Sequence, residues 1–442
     1  MTLTAVVGQA QASDGREAGL QATHQALKKL GIGSPSFAII VASRYYDSKK
    51  IASSVSSLLG ETPTIGFSSA STLTNDGQSK NSVAVALFSS PDLKITEHWL
   101  PGFAQSGRET ASLLRELASG AQMEDIKRGT ASHGTAPLGT APLRITPSST
   151  TQKKDQKILF FADGFNGDAE QMCLAWTGIP ISLIGGLSSG NPHTGVTSQI
   201  AGAQAGSGSL AAVIIEGNLK IGVGSDHGWR PVGSQFRITR SRGFWIRALD
   251  GRPASEVYSQ LFGYPARDWG FPPLNYLVRL YPLGIEQGQD LLIRSPLRVE
   301  ADGSFRMNAP VRDGMDAYLL TGSPSTCIEA AQRAAQKANI ALDGVKPALV
   351  LVLVDIAWQI LLKAEAGAEI AAVQDVFGKD VPIIGGYTLG QVTPGKNGSP
   401  PDFINQHITV IAFGEEKLEE KSTLTMRKPT EEEMEKRRDS LK

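Results

Sequence analysis

ALVLVLVDIAW, from Ala348 to Trp358, is an apolar run that ends on an aspartate, and the chain carries the same pattern twice before it. FAIIVASRYYD (Phe37 to Asp47) leads into a helical pattern with Ile51, Val55, Leu58 and Leu59 on one face, and then into TPTIGFSS. ILFFADGFNGD (Ile158 to Asp168) leads through Met172 and Trp176 into IPISLIGGLSSG. After Trp358 a helical stretch closing with Ile370, Val373 and Phe377 leads into VPIIGGYTLG. Each copy reads as strand, Asp-bearing turn, helix and strand within about 35 residues, the size of a βαβ unit whose two strands lie parallel. A further strand follows each Gly-rich segment: VAVALF at Val83, LAAVIIEG at Leu210 and HITVIAFG at His407. The expected fold class is α/β, with mixed sheets built from βαβ-like repeated units.

Outward from these units the signals change. Leu3 to Gly8 reads as a strand, and Asp14 with Glu17 opens a helix whose face is Ala18, Ala22, Ala26 and Leu30, stopped by Gly31. That small-residue face implies close packing on a sheet. Between the second and third copies, antiparallel hairpins are expected, with Gly217-Asn218 joining LAAVIIE to LKIGVG and Asp302-Gly303 joining LRVEA to SFRMN. Asp250-Gly251 and Pro253 precede a helix carrying Ala254, Val257, Tyr258 and Leu261 on one face, which marks entry to a second lobe. The organisation expected is two lobes, residues 1–235 and 236–415, with a flexible low-complexity insertion at about 121–155 and a charged tail over 416–442.

Lys plus Arg and Asp plus Glu balance at 43 each, which removes the long-range field that would steer a protein onto nucleic acid or anionic lipid. The two cysteines, Cys173 and Cys327, lie in apolar helical patterns and read as core thiols in a reducing compartment. The first residues lack a basic stretch followed by a long apolar region, and Asp355 breaks the longest apolar run. A cytoplasmic location with no membrane partner is expected.

The chemistry-bearing signals are sparse. Gly185-Gly186 and Gly385-Gly386 follow apolar strands, where they read either as sharp turns or as places where a ligand approaches the backbone closely. Neither fits a phosphate-binding pattern. No two of the six histidines have zinc-ligand spacing, so no metal centre is expected. His193 and His227, in polar loops, read as solvated imidazoles or as haem ligands. Ser68, Ser69, Ser188 and Ser189 follow strand ends but lack a nucleophile-elbow pattern, and backbone bonding is the simpler reading. Asp163 and Asp355 read as turn caps or as partners of a ligand amine. Trp229, before Arg230-Pro231, reads as a half-exposed pocket wall or as packing over a lobe boundary. No catalytic constellation emerges, so an enzyme is not expected.

Taken in order, AVVGQAQASDGREAG, ASRYYD to TPTIGFSS, IPISLIGGLSSG, HGWRPVG, LDGRPASEVYSQLFG, VPIIGGYTLGQV and FINQHITVIAFG resemble the FIST family, with its N-terminal and C-terminal domains in tandem over about residues 3–413. The resemblance implies an intracellular sensory module that binds a small ligand such as an amino acid and works with an output partner such as a kinase or cyclase. It also implies, as an alternative, a haem-based nitric oxide sensor with His193 or His227 as ligand; an enzyme of unknown reaction is a third reading. The ligand-binding residues it points to are Gly185, Gly186, Trp229, Gly385, Gly386, Tyr387, Gly390, Gln391 and Asn405. The sequence departs from the family pattern at Ser71-Thr72-Leu73 and at Gly390-Gln391, where relatives tend to carry Gly-Glu. It departs again at Val354-Asp355-Ile356-Ala357, in place of a Ser-Cys pair and an Arg.

Overall fold

The computed structural model describes residues 3–120, 156–191, 194–287, 290–395 and 399–415; the expected insertion and the charged tail lie outside them. The apolar runs form strands because each is buried on both faces, so no polar alternation is required. In the first copy, strands Thr4–Ala10, Val83–Ser89, Phe37–Ser43 and Thr64–Ser69 lie side by side in that order. Phe37–Ser43 and Thr64–Ser69 run parallel and the other pairs antiparallel. The second copy repeats this order with Lys94–Pro101, Ser209–Glu216, Lys157–Asp163 and Ser182–Ser188. The third does so with Leu219–Asp226, Ile408–Glu415, Pro347–Asp355 and Ile383–Thr393. The repeat is therefore longer than the sequence pattern indicates, because each copy begins with an additional strand and helix.

Strand exchange closes the three copies into a ring. The short strand Thr72–Thr74 of the first copy pairs with the third copy, Thr72 opposite Gly386. Gln199–Ala201 of the second pairs with the first, Gln199 opposite Phe67. The far half of Ile383–Thr393 pairs with the second, Gln391 opposite Gly186. Inward faces from all three copies share one apolar core, which includes Val41, Phe67 and Phe88, Phe161 and Val213, and Leu351, Leu353 and Phe413. Rings from different copies meet there: Phe67 and Phe161 at 4.3 Å, Phe88 and Phe413 at 5.4 Å.

Helices cover the outer faces. Gly15–Leu30, capped by Asp14 and ended at Gly31, buries Ala18, Ala22 and Ala26 completely. A side chain at Gly8 would meet the Ala22 carbonyl at 2.1 Å, so the small-residue face does bring helix and sheet backbones together. Pro324–Ala341 repeats the device in the third copy, where its buried alanines lie against Gly222 and Gly224. Among the described residues no helix is long and apolar enough to cross a membrane.

An antiparallel sheet from Arg230–Arg242 to Asp316–Thr321 forms a lobe inserted between the first strand of the third copy and its helix Pro324–Ala341. It has its own core around Tyr258, Trp269 and Phe305. Asp302-Gly303 does join two paired strands, Pro296–Val299 and Phe305–Met307, with Gly303 at φ 79°. The hairpin expected at Gly217-Asn218 does not form. Both edges of Ser209–Glu216 are already taken, by Lys94–Pro101 and Lys157–Asp163, so the turn instead passes the chain to Leu219–Asp226 in the next copy.

Candidate functional site

The inserted lobe meets the third copy over a polar layer at the carboxyl ends of its parallel strands. Asp355 closes Pro347–Asp355 and is 1% exposed. Its carboxylate accepts from the backbone N–H of Ala357 at 3.0 Å and of Gln406 at 2.9 Å. Burial raises its pKa to about 6, against the opposing pull of those amides and of the Arg279 guanidinium. The Gln406 carbonyl accepts from both Trp229 Nε1 and Trp358 Nε1 at 2.9 Å, and its side-chain amide donates to the Arg279 carbonyl and to Ser295 Oγ. Asn308 accepts from the Ser295 N–H and donates to the Leu389 carbonyl. These bonds fasten one lobe to the other. The buried side-chain oxygens of Gln391, Asn405 and Gln406 have no partner, which leaves acceptor capacity in this layer.

The structure brings together Gly186, Gly390, Gln391 and Asn405. Gln391 lies opposite Gly186, and a side chain at Gly390 (φ 149°) would strike Phe403 and the Asn405 amide. The glycine pairs are not turns: Gly185 and Gly186 lie within Ser182–Ser188, and Gly385 and Gly386 within Ile383–Thr393. Gly185 and Gly385 are small because a side chain would stand 2.1 Å from the Phe160 or Val352 carbonyl of the neighbouring strand. Tyr387 is buried, its hydroxyl donating to Glu369 Oε1 at 2.5 Å. Trp229 is 3% exposed rather than a half-exposed wall, because its indole packs over the lobe boundary and its N–H is used by Gln406.

His227 Nδ1 accepts from the Trp229 N–H, and its ring meets that of His407 edge to face at 4.8 Å. Burial lowers both pKa values, that of His407 to about 3. His193 lies outside the described residues. Ser68, Ser69 and Ser189 donate to the carbonyls of Ser189, Ser71 and Tyr387. Asp163 caps its loop by accepting from the N–H groups of Phe165, Asn166 and Gly208. Both cysteines are buried and unpaired with one another.

Beside this layer opens a cleft of about 280 Å³ that the sequence reading missed. One wall is the helix Ala169–Ala175 of the second copy, through Glu170, Gln171 and Leu174; the other is the inserted lobe, through Ile285, Leu292, Arg294, Pro310, Arg312 and Met315. The Arg294 side chain is 3% exposed and lies 3.3 Å from Glu170 Oε1. Its guanidinium also donates to the Phe403 carbonyl and lies 5.8 Å from the Phe403 ring. Burial lowers the Arg294 pKa, and Glu170 opposes that shift. Arg312 is exposed and has no acidic partner among the described residues. The signal available in the sequence was an arginine within the apolar run LLIRSPL.

Two family models cover most of the chain: the FIST N domain matches residues 36–252 and the FIST C domain residues 254–394. No curated protein shows a significant match. Solved structures similar to the chain include a cyanuric acid hydrolase described as an evolutionary innovation by structural concatenation. It is 7% identical with TM-score 0.33, over 94% of this chain and 100% of that one. A cyanuric acid hydrolase from A. caulinodans is 8% identical with TM-score 0.34, over 94% and 100%. T. maritima PurL complexed with FGAR is 9% identical with TM-score 0.22, over 93% and 73%. Similarity this low carries no argument about the chemistry of this chain.

Proposed function

The chain belongs to the FIST family, whose domains are associated with sensory signal transduction and small-ligand binding, and from that premise we propose that it senses a small ligand in the cleft between the second copy and the inserted lobe. The observation that carries the reading is the joint itself. A cleft with apolar walls and a few convergent charged groups, where two packing units meet, is where small-molecule sites concentrate. A ligand there touches helix Ala169–Ala175 on one side and the inserted lobe on the other, so occupancy favours whichever arrangement of the lobes gives the better contacts.

The ligand class is an amino acid or a related metabolite, at home in a volume near the lower end for such pockets. Binding without turnover is part of this reading: the strand-end Ser68, Ser69, Asp163 and Asp355 lie outside the cleft and are bonded to backbone groups. The setting is cytoplasmic, and the signal passes to a separate output protein such as a kinase or cyclase. Thermal-shift screening with amino acids and small metabolites tests the proposal. A ligand at one hundred times its Kd raises stability by about 2.7 kcal/mol, and a melting temperature unmoved by the whole panel rejects it.

A further inference from the structure

The charges around the cleft are unequal. One acid, Glu170, faces two bases, Arg294 and Arg312. Glu170 is engaged with Arg294, whose guanidinium is held in place by the Phe403 carbonyl and by burial. A ligand ammonium seeking Glu170 would have to displace that arrangement and would sit beside a fixed positive charge. Arg312, at the rim, is the group whose charge is left over. The rest of the lining is largely apolar, with Leu174, Ile285, Leu292 and Met315 facing the space.

Given that this cleft is the ligand site, we propose that it selects an apolar monocarboxylate: the carboxylate meets Arg312 at the rim and the hydrocarbon body lies against Leu174, Ile285, Leu292 and Met315. An α-ammonium group adds nothing, because among the described residues the cleft lining has no acid besides Glu170, which is engaged, and two guanidinium groups repel it. The planar fork of Arg312 suits a carboxylate, and the attraction weakens with salt because the rim is exposed. Inorganic phosphate gains nothing from the apolar walls.

Three probes share one body and differ only in their head: 3-phenylpropionate, L-phenylalanine and 2-phenylethylamine. Calorimetric titration into the full chain should give the order propionate, then amino acid, with no detectable binding of the amine. Arg312→Gln should weaken 3-phenylpropionate about tenfold, the scale of one charge-assisted contact, while leaving the melting temperature of the free protein unchanged. Leu174→Ser, at a side chain already 45% exposed, should weaken the propionate and the amino acid alike. Binding of L-phenylalanine tighter than its deaminated analogue overturns the carboxylate assignment but leaves the site standing if Leu174→Ser still weakens it. Propionate binding indifferent to Arg312→Gln overturns the assignment too. If none of the three probes binds, the carboxylate assignment falls; if the wider thermal-shift panel also leaves the protein unstabilised, the sensor reading falls with it.

Discussion

Replacing Gly385 by alanine separates an architectural glycine from a ligand-contacting one. The added carbon would stand 2.1 Å from the Val352 carbonyl oxygen on the parallel neighbour strand. Carbon and oxygen settle at about 3.3 Å or more, so the two strands must part locally by about 1.2 Å. A ladder bond of about 2.9 Å lengthened by that amount passes beyond 3.5 Å and is lost. Two such bonds flank the site, at about 1 kcal/mol net each. The wedge also disturbs a fully buried layer, at about 1–3 kcal/mol. Alanine recovers at most about 1 kcal/mol by restricting the unfolded chain. The net expectation is a loss of about 2–4 kcal/mol, read as a lower midpoint in urea or thermal unfolding. Gly263→Ala is the control: it sits at φ 78° with nothing within 4 Å of an added carbon, and should lose only about 1–2 kcal/mol from backbone strain. The same wedge exists at Gly185, 2.1 Å from the Phe160 carbonyl, and at Gly66, 2.6 Å from that of Ile40. A Gly385→Ala protein as stable as the parent would refute this account, most clearly if it had lost ligand binding instead.

Trp229→Phe and Trp358→Phe each leave the Gln406 carbonyl one indole donor. Each alone should therefore lose about 1 kcal/mol, and the pair together clearly more than the sum; strict additivity in the double-mutant cycle rejects the shared acceptor. Asp355 holds its proton to about pH 6 in the folded chain and to about 3.8 when free. Its stabilising contribution is complete below pH 3.8 and is lost as pH rises through 6, about 3 kcal/mol for that shift. His407, lowered by burial, acts in the opposite sense: its contribution is present above pH 6.5 and is lost as pH falls toward 3. The stability difference between parent and Asp355→Asn isolates the first effect and should change across pH 4–6; a flat difference contradicts it. Glu170→Gln strips the anion from a guanidinium that is 3% exposed and should destabilise by about 1–3 kcal/mol, discounted for the partial exposure of Glu170. An unfolding midpoint matching the parent's would show that the carbonyls alone satisfy Arg294.

The central strands of each copy were legible because they are buried on both faces and read as unbroken apolar runs. The leading strand of each copy was not matched to its counterparts, because it lies on the sheet edge and is constrained on fewer sides. Lys94–Pro101, with exposed Glu97 beside buried Leu100, resembles neither Thr4–Ala10 nor Leu219–Asp226. Two of the three exchanged strands are three residues long, too short for any periodicity to announce them. Gly217-Asn218 misled for a related reason. Turn chemistry fixes a local reversal, but which strand lies alongside depends on edges already occupied by distant segments. Of the ligand-binding residues named from sequence, Gly390, Gln391 and Asn405 lie together in the polar layer and none lines the cleft, whose Arg294 was overlooked because its partner Glu170 lies 124 residues away.

The three copies also show why the polar layer belongs to the third. Strand register makes Ser43, Asp163 and Asp355 equivalent, since each lies opposite the last parallel partner, Ser69, Ser188 and Thr388. Ser82, Ser209 and His407 correspond in the same way, each standing one residue before the first antiparallel pair, Val83 with Ala42, Leu210 with Ala162 and Ile408 with Val354. In the first copy these positions are small serines, and the Ser43 N–H simply donates to the Ser82 carbonyl. The third copy keeps that backbone bond, from Asp355 to His407, but both side chains are larger and ionisable. The insertion between Asp226 and Pro324 accounts for the difference: a second sheet laid over these strand ends brings Arg279, Ser295 and Asn308 into a layer that must then be satisfied internally. The cleft lies where that sheet reaches past its own copy to the helix of the second. Under the proposed reading, a ligand there would act on the seating of the inserted lobe, a contact that the threefold repeat does not itself enforce.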